Sequence, residues 1–309
     1  MVVLYLFNNY VVFWLKWPET WQVFAHFLDN SSNSKLSDEQ GTNGLILLFA
    51  YVIVIAAVIL FTLARPSRTL ENDADFYSRF AAFIVRAAFW SVLLIGLTDT
   101  LISFLRVEDM LASVVGQDLT TQLGRPIFRG LYIHYPLMVI SIIIAFFSRT
   151  LGFMWLAFLV VLAEFLIVVT RFVFSYEQAF MGDLVRFWYA ALFLFASSYT
   201  LLTEGHVRVD VLYANFSEKN KARSNVFGSL LLGLPLCWTI LTQGMAGKGA
   251  SINSPLLSFE ISQSGFGMYV KYLMAGFLVV FAVSMAIQFV STILGGVAAL
   301  SKASESDSH

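Results

Sequence analysis

Seven stretches of the chain are continuously apolar, and their lengths fit membrane crossings. Gly44–Ala64 runs 21 residues without a charge, and Ala87–Leu105 runs 19 residues interrupted only by Asp99. Leu131–Phe147 is shorter, at 17 residues, and holds His134 and Pro136. Leu151–Thr170 is 20 residues with Glu164 inside, and Phe187–Leu202 is 16, extendable backward through Leu184–Arg186. Val226–Gly247 and Tyr272–Leu300 are 22 and 29 residues, both uncharged. A bilayer core needs ~20 apolar residues per helix, so the last stretch must tilt or run on past the hydrocarbon. Barrel strands alternate apolar and polar positions, whereas Val52 to Leu60 is apolar at every position. Only a helix satisfies its own backbone in lipid over such a run. The pattern predicts an all-α integral membrane protein of seven spans.

The polar segments between these stretches predict the rest of the layout. Residues 1–28 hold Val2 to Leu15, broken by Asn8 and Asn9, and then cluster Trp14, Lys16, Trp17 and Trp21. A secretory signal has its basic residues before the apolar core; here Lys16 follows it. The segment reads as an N-terminal helix lying in the membrane interface, with a short true span as the alternative. Asn30–Asn43 reads as a polar external linker, and Ser301–His309 as a frayed tail. Alternate loops carry Arg65, Arg68 and Arg79; Arg149; and Arg208, Lys219, Lys221 and Arg223. The opposing loops carry Arg106, Arg125 and Arg129; Arg171 and Arg186; and Lys248 and Lys271. Eight basic residues against seven is a slight bias, and the dense Lys219–Arg223 cluster decides it. By the positive-inside rule the C-terminus is expected inside and the N-terminus outside.

Composition agrees and narrows the chemistry. Of 309 residues 58% are apolar and 13% charged, where soluble domains run near 25% charged. With a net charge of −1 no basic surplus exists to bind nucleic acid. The single cysteine, Cys237, closes no internal disulfide, and with His26, His134, His206 and His309 dispersed there is no metal-ligand spacing. No lysine lies within the last span to hold retinal, and His134 and His206, both near span ends, make poor axial haem ligands. No phosphate-binding loop, nucleophile elbow or zinc-protease pattern occurs. The chain reads as a non-enzyme without cofactor.

Ionisable residues at span depth are the candidates for function. Asp99 and Glu164 are the deepest, and interhelical polar contacts are the simplest reading of both. Glu164 and Arg171 share a stripe but lie ~10 Å apart along the helix, so Arg186, entering the next span, is the expected partner of Glu164. Arg86 and Asp99 fall on opposite faces and do not pair; Arg86 is expected to snorkel to the inner surface. His134, beside Tyr132 and Tyr135, is expected as an interfacial group at a helix start, with Pro136 in the first turn. An autonomous seven-helix channel or secondary transporter using Asp99 and Glu164 stays open on these residues alone.

The loop after the fifth span reads Glu204-Gly205-His206-Val207-Arg208-Val209-Asp210-Val211-Leu212-Tyr213. Its polar members share one face if it is extended. This run resembles the signature of the DctQ-like small membrane subunit of tripartite ATP-independent periplasmic (TRAP) transporters. Further likenesses follow in order. They are Arg171-Phe172-Val173-Phe174, Asp183-Leu184-Val185-Arg186, the breaks at Gly228, Pro235 and Gly244, and Ser258-Phe259-Glu260-Ile261-Ser262 followed by Lys271. One departure is that Gly182-Asp183 stands where the family usually has paired acids.

The resemblance covers about 151–300 as four helices, which divides the chain into a 1–150 extension, a 151–300 small-permease domain and a 301–309 tail. It implies a static scaffold in the bacterial inner membrane for a large, sodium-coupled, elevator-type subunit. Sodium is then held by that partner, and a periplasmic binding protein delivers an organic acid. It also implies a cytoplasmic signature loop with Gly205, His206, Arg208 and Asp210. Arg171, Asp183, Arg186, Glu260 and Lys271 become candidates for docking the binding protein outside. Lipids at the subunit interface are the remaining expected partner.

Overall fold

The computed structural model describes residues 1–28, 37–64, 69–202, 213–262 and 267–306. The chain is helical, with no strand among the described residues, and forms two compact units that divide between Thr69 and Leu70. Among the described residues seven helices are long and apolar enough to cross a membrane. Each covers all or most of one of the apolar stretches above.

The first unit holds α1 (Val2–Phe13), α2 (Thr20–Leu28) and α3 (Asp38–Leu63). The N-terminal apolar segment is thus two short helices rather than one, separated at Lys16, whose φ is 59°, and Pro18. Val11 and Val12 pack on Leu47 of α3, and the Asn8 side-chain Oδ1 accepts the Thr20 hydroxyl at 3.1 Å. The expected linker is shorter than its polar composition suggests. Ser37 and Gln40 make a reciprocal capping box, and Asp38 to Asn43 belong to α3. Most of α3 beyond Tyr51 is exposed and apolar, which is the surface a helix shows to lipid.

The second unit is built on α4 (Leu70–Val107). It continues through the short α5 (Leu111–Val115) and α6 (Gln117–Leu123) to α7 (Pro126–Phe147), α8 (Phe153–Phe174) and α9 (Ala179–Leu202). Then come α10 (Glu218–Gly244), α11 (Asn253–Ser258) and α12 (Lys271–Ser306). The ends of α4 and α8 and the starts of α7, α9 and α12 gather at one end of the bundle, here the Lys271 end. The opposite end carries the starts of α4, α8 and α10.

The central pair is α4 against α12, antiparallel along nearly their whole length. Tyr269, just before α12, bonds Asp99; further on, Ser291 donates to the Ala74 carbonyl at 2.7 Å, and Lys302 meets Glu71 at 2.6 Å. At ~1.5 Å per residue α4 is ~57 Å long, well over the ~30 Å of hydrocarbon. Both helices therefore run on past the bilayer at the Glu218 end, as the 29-residue apolar stretch requires. The expected frayed tail is consequently helical through Ser306, because α4 gives it a partner beyond the membrane; 307–309 lie outside the described residues.

Gly96 and Gly152 are two of several glycines that set close approaches. Gly96 lets α9 lie on α4, since a Cβ there would fall 2.4 Å from the Trp188 indole nitrogen, which itself donates to the Val92 carbonyl at 3.3 Å. Gly152, in the tight turn between α7 and α8, has φ +78° and abuts the ring of buried Phe89. Only glycine meets both demands. Gly152→Ala is expected to destabilise the fold by about 1–3 kcal/mol through overpacking and left-handed strain. A thermal-unfolding midpoint in detergent equal to wild type would show that this turn is not seated on α4.

Candidate docking site at the Lys271 end

The site begins with a carboxylate in hydrocarbon. Asp99, on the inner face of α4, is fully buried, as are Ser103, Arg129 and His134. The Asp99 Oδ1 accepts from Arg129 Nη1 at 2.9 Å and from His134 Nε2 at 3.1 Å, and its Oδ2 accepts the Tyr269 backbone N–H at 2.7 Å. Arg129 Nη1 also donates to Ser103 Oγ at 3.3 Å, and its Nε to the Leu123 carbonyl at 3.0 Å. His134 Nδ1 lies 2.9 Å from the Tyr272 hydroxyl. An Nε2–H imidazole satisfies both contacts, donating to Asp99 and accepting from Tyr272, so one anion and one cation cancel within the cluster. Two guanidinium groups lie against the Tyr269 ring. Arg129 lies 4.0 Å and Arg106 4.9 Å from its centroid, and its hydroxyl accepts from Arg106 and donates to the Gly124 carbonyl.

Three expectations are corrected here. Arg129, counted among loop charges, is the buried partner of Asp99. The span starts at Pro126, with the proline at the first helical position, so Arg129 is already in the membrane. His134 is not at a helix start, and Pro136 is not in a first turn; both lie well inside α7. The proline is tolerated because the helix loosens into a π turn over Gly130–His134, in which the Tyr135 N–H reaches the Gly130 carbonyl. Proline has no N–H to donate and crowds the carbonyl four residues back. Pro235 follows a second π turn, Ser229–Gly233, in the same register. The outward surface is left to Tyr132, 65% exposed.

The cluster fastens the segment between α10 and α12. Tyr269 is held by Asp99, and Met268 by both the Thr100 hydroxyl at its sulfur, 3.4 Å, and Asp183, which accepts its N–H at 3.1 Å. Asp183 also accepts the Ser262 hydroxyl at 3.0 Å. The Tyr272 N–H reaches the Glu260 carbonyl, 3.0 Å, after Phe259 reverses the chain at φ 50°. Asn253 donates to the Met245 and Gly247 carbonyls, stitching α11 to the end of α10.

Around Asp183 a cavity of about 310 Å³ opens, lined by Arg186, Ser262, Met268, Val270, Lys271 and Met274 as well. Lys271 pairs with Glu260 at 2.6 Å, and Arg186 reaches Asp183 at 3.6 Å with its side chain 75% exposed. Arg171 and Glu177 pair at 3.3 Å, both exposed, in the neighbouring α8–α9 turn. There, too, the Tyr176 hydroxyl donates to Glu108 at 2.7 Å, and burial together with that carboxylate pushes its pKa up to about 12. A raised phenol pKa stabilises the fold below pH 10 and ceases to as pH rises past about 12, so this link is intact at physiological pH.

Of the sequence candidates, the structure brings Asp183, Arg186, Glu260 and Lys271 to one cavity and its rim, with Arg171 at the same end. Arg186 is not the partner of Glu164. Its guanidinium lies beside Asp183, three residues back on its own helix, while Glu164 is exposed halfway along α8 and makes no ion pair among the described residues. Gly205, His206, Arg208 and Asp210 lie outside the described residues. No group of histidine, cysteine or acidic residues able to hold a metal occurs among the described residues.

The fold and site define a multi-pass helical membrane protein with a buried ion pair under an exposed charged rim. Residues 158–299 match the family described as tripartite ATP-independent periplasmic transporters, DctQ component. The C-terminal part of the chain is thus similar to the DctQ component of such transporters, and the helices before it lie outside the match. No curated protein and no solved structure matches it. The matched region starts within α8, so α4 and α7, which supply Asp99, Arg129 and His134, lie before it.

Breaking a buried pair by removing one partner costs about 3–5 kcal/mol, because the other charge is left uncompensated. Asp99→Asn and Arg129→Met are each expected to destabilise by that amount in detergent unfolding. The double variant is expected to lose less than the sum of the two. Strict additivity would mean that the two side chains act independently.

Proposed function

We propose that this chain is the static scaffold of a sodium-coupled TRAP transporter that takes up an organic acid across a bacterial inner membrane. In this reading a large elevator-type subunit holds sodium and moves the substrate, and this chain has no catalytic or transport site and no cofactor of its own. The Lys271 end is periplasmic, and it receives the substrate-binding protein. Supporting that orientation, withdrawal of buried Arg129 from the Lys271-end tally enlarges the basic excess of the opposite loops.

One observation carries the reading. The Lys271-end platform, with Arg186, Glu260 and Lys271 at its surface, is held rigid from below by the Asp99 cluster. Rigid, pre-organised surfaces lose less entropy on docking. The autonomous-transporter reading needs ionisable groups in a shared, wet cavity. Asp99 is instead sealed against Arg129, and Glu164 faces outward from α8. An exposed carboxylate at mid-span is costly against lipid, which favours α8 as the flank that meets a cation of the large subunit.

Affinity purification through this chain is expected to recover a larger membrane subunit. Recovery alone, with uptake retained in proteoliposomes, would overturn the scaffold reading. Glu164→Lys is expected to reduce that recovery severalfold or more, and undiminished recovery would remove α8 as the contact flank. Within an assembled transporter, the double reversal Arg186→Glu with Glu260→Lys is expected to lower binding-protein-dependent uptake at least severalfold. Uptake unchanged by it would exclude this rim as the docking surface.

A further inference from the structure

At the Glu218 end of the second unit a cavity of about 400 Å³ lies between α10 and α12. Its wall on α10 holds Lys219, Lys221 and Asn225, which fall on one side of the first two turns. Its wall on α12 is the stripe Thr292, Gly296, Ala299 and Ala303, at i, i+4, i+7 and i+11. The two helices touch beside it, since a Cβ on Gly296 would fall 2.5 Å from the Val226 side chain. One wall is therefore cationic and amide-bearing, and the other is small and mostly apolar.

The polar wall is arranged to donate. The Tyr213 hydroxyl, also at the cavity, donates to Asn225 Oδ1 at 3.1 Å, which leaves the amide NH2 as the donor there. Lys221 meets Glu218 at 2.9 Å, but that carboxylate is 91% exposed, and a solvated pair of this kind is weak. Two ammonium groups against one carboxylate give the lining a net positive charge. Lys219 and Lys221 are both half-buried, so salt screens an anion beside them less than one on an open surface. The cavity also stands where the chain changes character. The uncharged run of α10 begins at Val226 and that of α12 ends at Leu300, so the cavity sits where headgroups meet hydrocarbon.

We infer that this cavity binds the headgroup of one anionic phospholipid, its phosphate on Lys219, Lys221 and Asn225 and its glycerol against Gly296 and Ala299. The acyl chains stay in the bilayer alongside. Basic pockets between helices at a membrane surface suit such headgroups, and this volume holds a headgroup rather than a whole lipid. A free phosphate would meet the lysines but leave the alanine wall bare, and a hydrocarbon would do the reverse. The bound lipid ties the start of α10 to the far part of α12. The site lies at the opposite end from the Asp183 cavity and does not rest on the scaffold reading.

The test uses the full chain, delipidated in mild detergent, with lipid binding titrated by native mass spectrometry. One dioleoyl phosphatidylglycerol per chain is expected to bind at least severalfold tighter than dioleoyl phosphatidylcholine, whose choline the lysines repel. Equal binding of the two would reject an anion-selective headgroup site. The double variant Lys219→Gln with Lys221→Gln is expected to weaken phosphatidylglycerol about tenfold or more and to erase the preference. Ala299→Phe keeps both lysines and fills the cavity from an exposed position on α12, and the same loss is expected. It also stands in should the double variant not fold. Lys248→Gln, at an exposed position near the other end, is expected to bind as wild type does. Tight binding retained in either folded cavity variant overturns the inference, and so does an equal loss in Lys248→Gln, which marks a general charge effect. Full displacement of the lipid by inorganic phosphate would mean a free-anion site and would reject the proposal too.

Discussion

A carboxylate in the middle of a membrane bundle dictates much of what surrounds it. Asp99 cannot be left in hydrocarbon without a counter-charge, and Arg129 supplies one only by entering the membrane itself. That draws the start of α7 down to Pro126, sets His134 against the same oxygen, and leaves Asp99's second oxygen to hold the backbone before α12. Three helices and a loop are thereby fixed in register by one group. Such a pair is a poor source of stability compared with packed apolar residues, but it is intolerant of misalignment, which is what a bundle of interchangeable greasy helices otherwise lacks.

The consequence reaches the surface. The described residues between Met245 and Val270 have little regular structure besides α11, yet they are tied at Asn253, Glu260, Ser262, Met268 and Tyr269. Its charged rim is therefore presented by a buried framework rather than by a free loop. The residues doing the holding, Asp99 and Arg129, come from helices that precede the region matching the DctQ component family. Within the second unit, α4 and α7 of the extension share one polar core with the family region.

Polar groups in the spans divide by what satisfies them. Asp99 accepts from Arg129 and His134, while the Arg129 Nη2 is buried without an acceptor among the described residues. The Arg86 Nε and Trp90 Nε1 are buried without an acceptor among the described residues as well, and Glu164 is exposed on α8.

Much of the fold was legible in the residue pattern. Seven spans follow from runs such as Val52 to Leu60, because in lipid each helix must satisfy its own backbone, and this requirement is local. The family was legible in the Gly205–Asp210 run and its companions, and the docking candidates Asp183, Arg186, Glu260 and Lys271 did converge on one cavity and its rim. The partners of Asp99 were not legible. Arg129 and His134 lie 30 and 35 residues away, and Tyr269 lies 170 away. One overlooked signal, Pro126 as a helix start, would have moved Arg129 into the span. The π turn that carries Pro136 into the middle of α7, and the pairing of Arg186 with Asp183 in place of Glu164, had no local sign. Sequence by itself determined which segments must be helices in a membrane, since each meets that demand alone. Which charges meet was decided by the packing of helices distant in the chain, since a buried ion pair belongs to neither residue until both are brought to the same point.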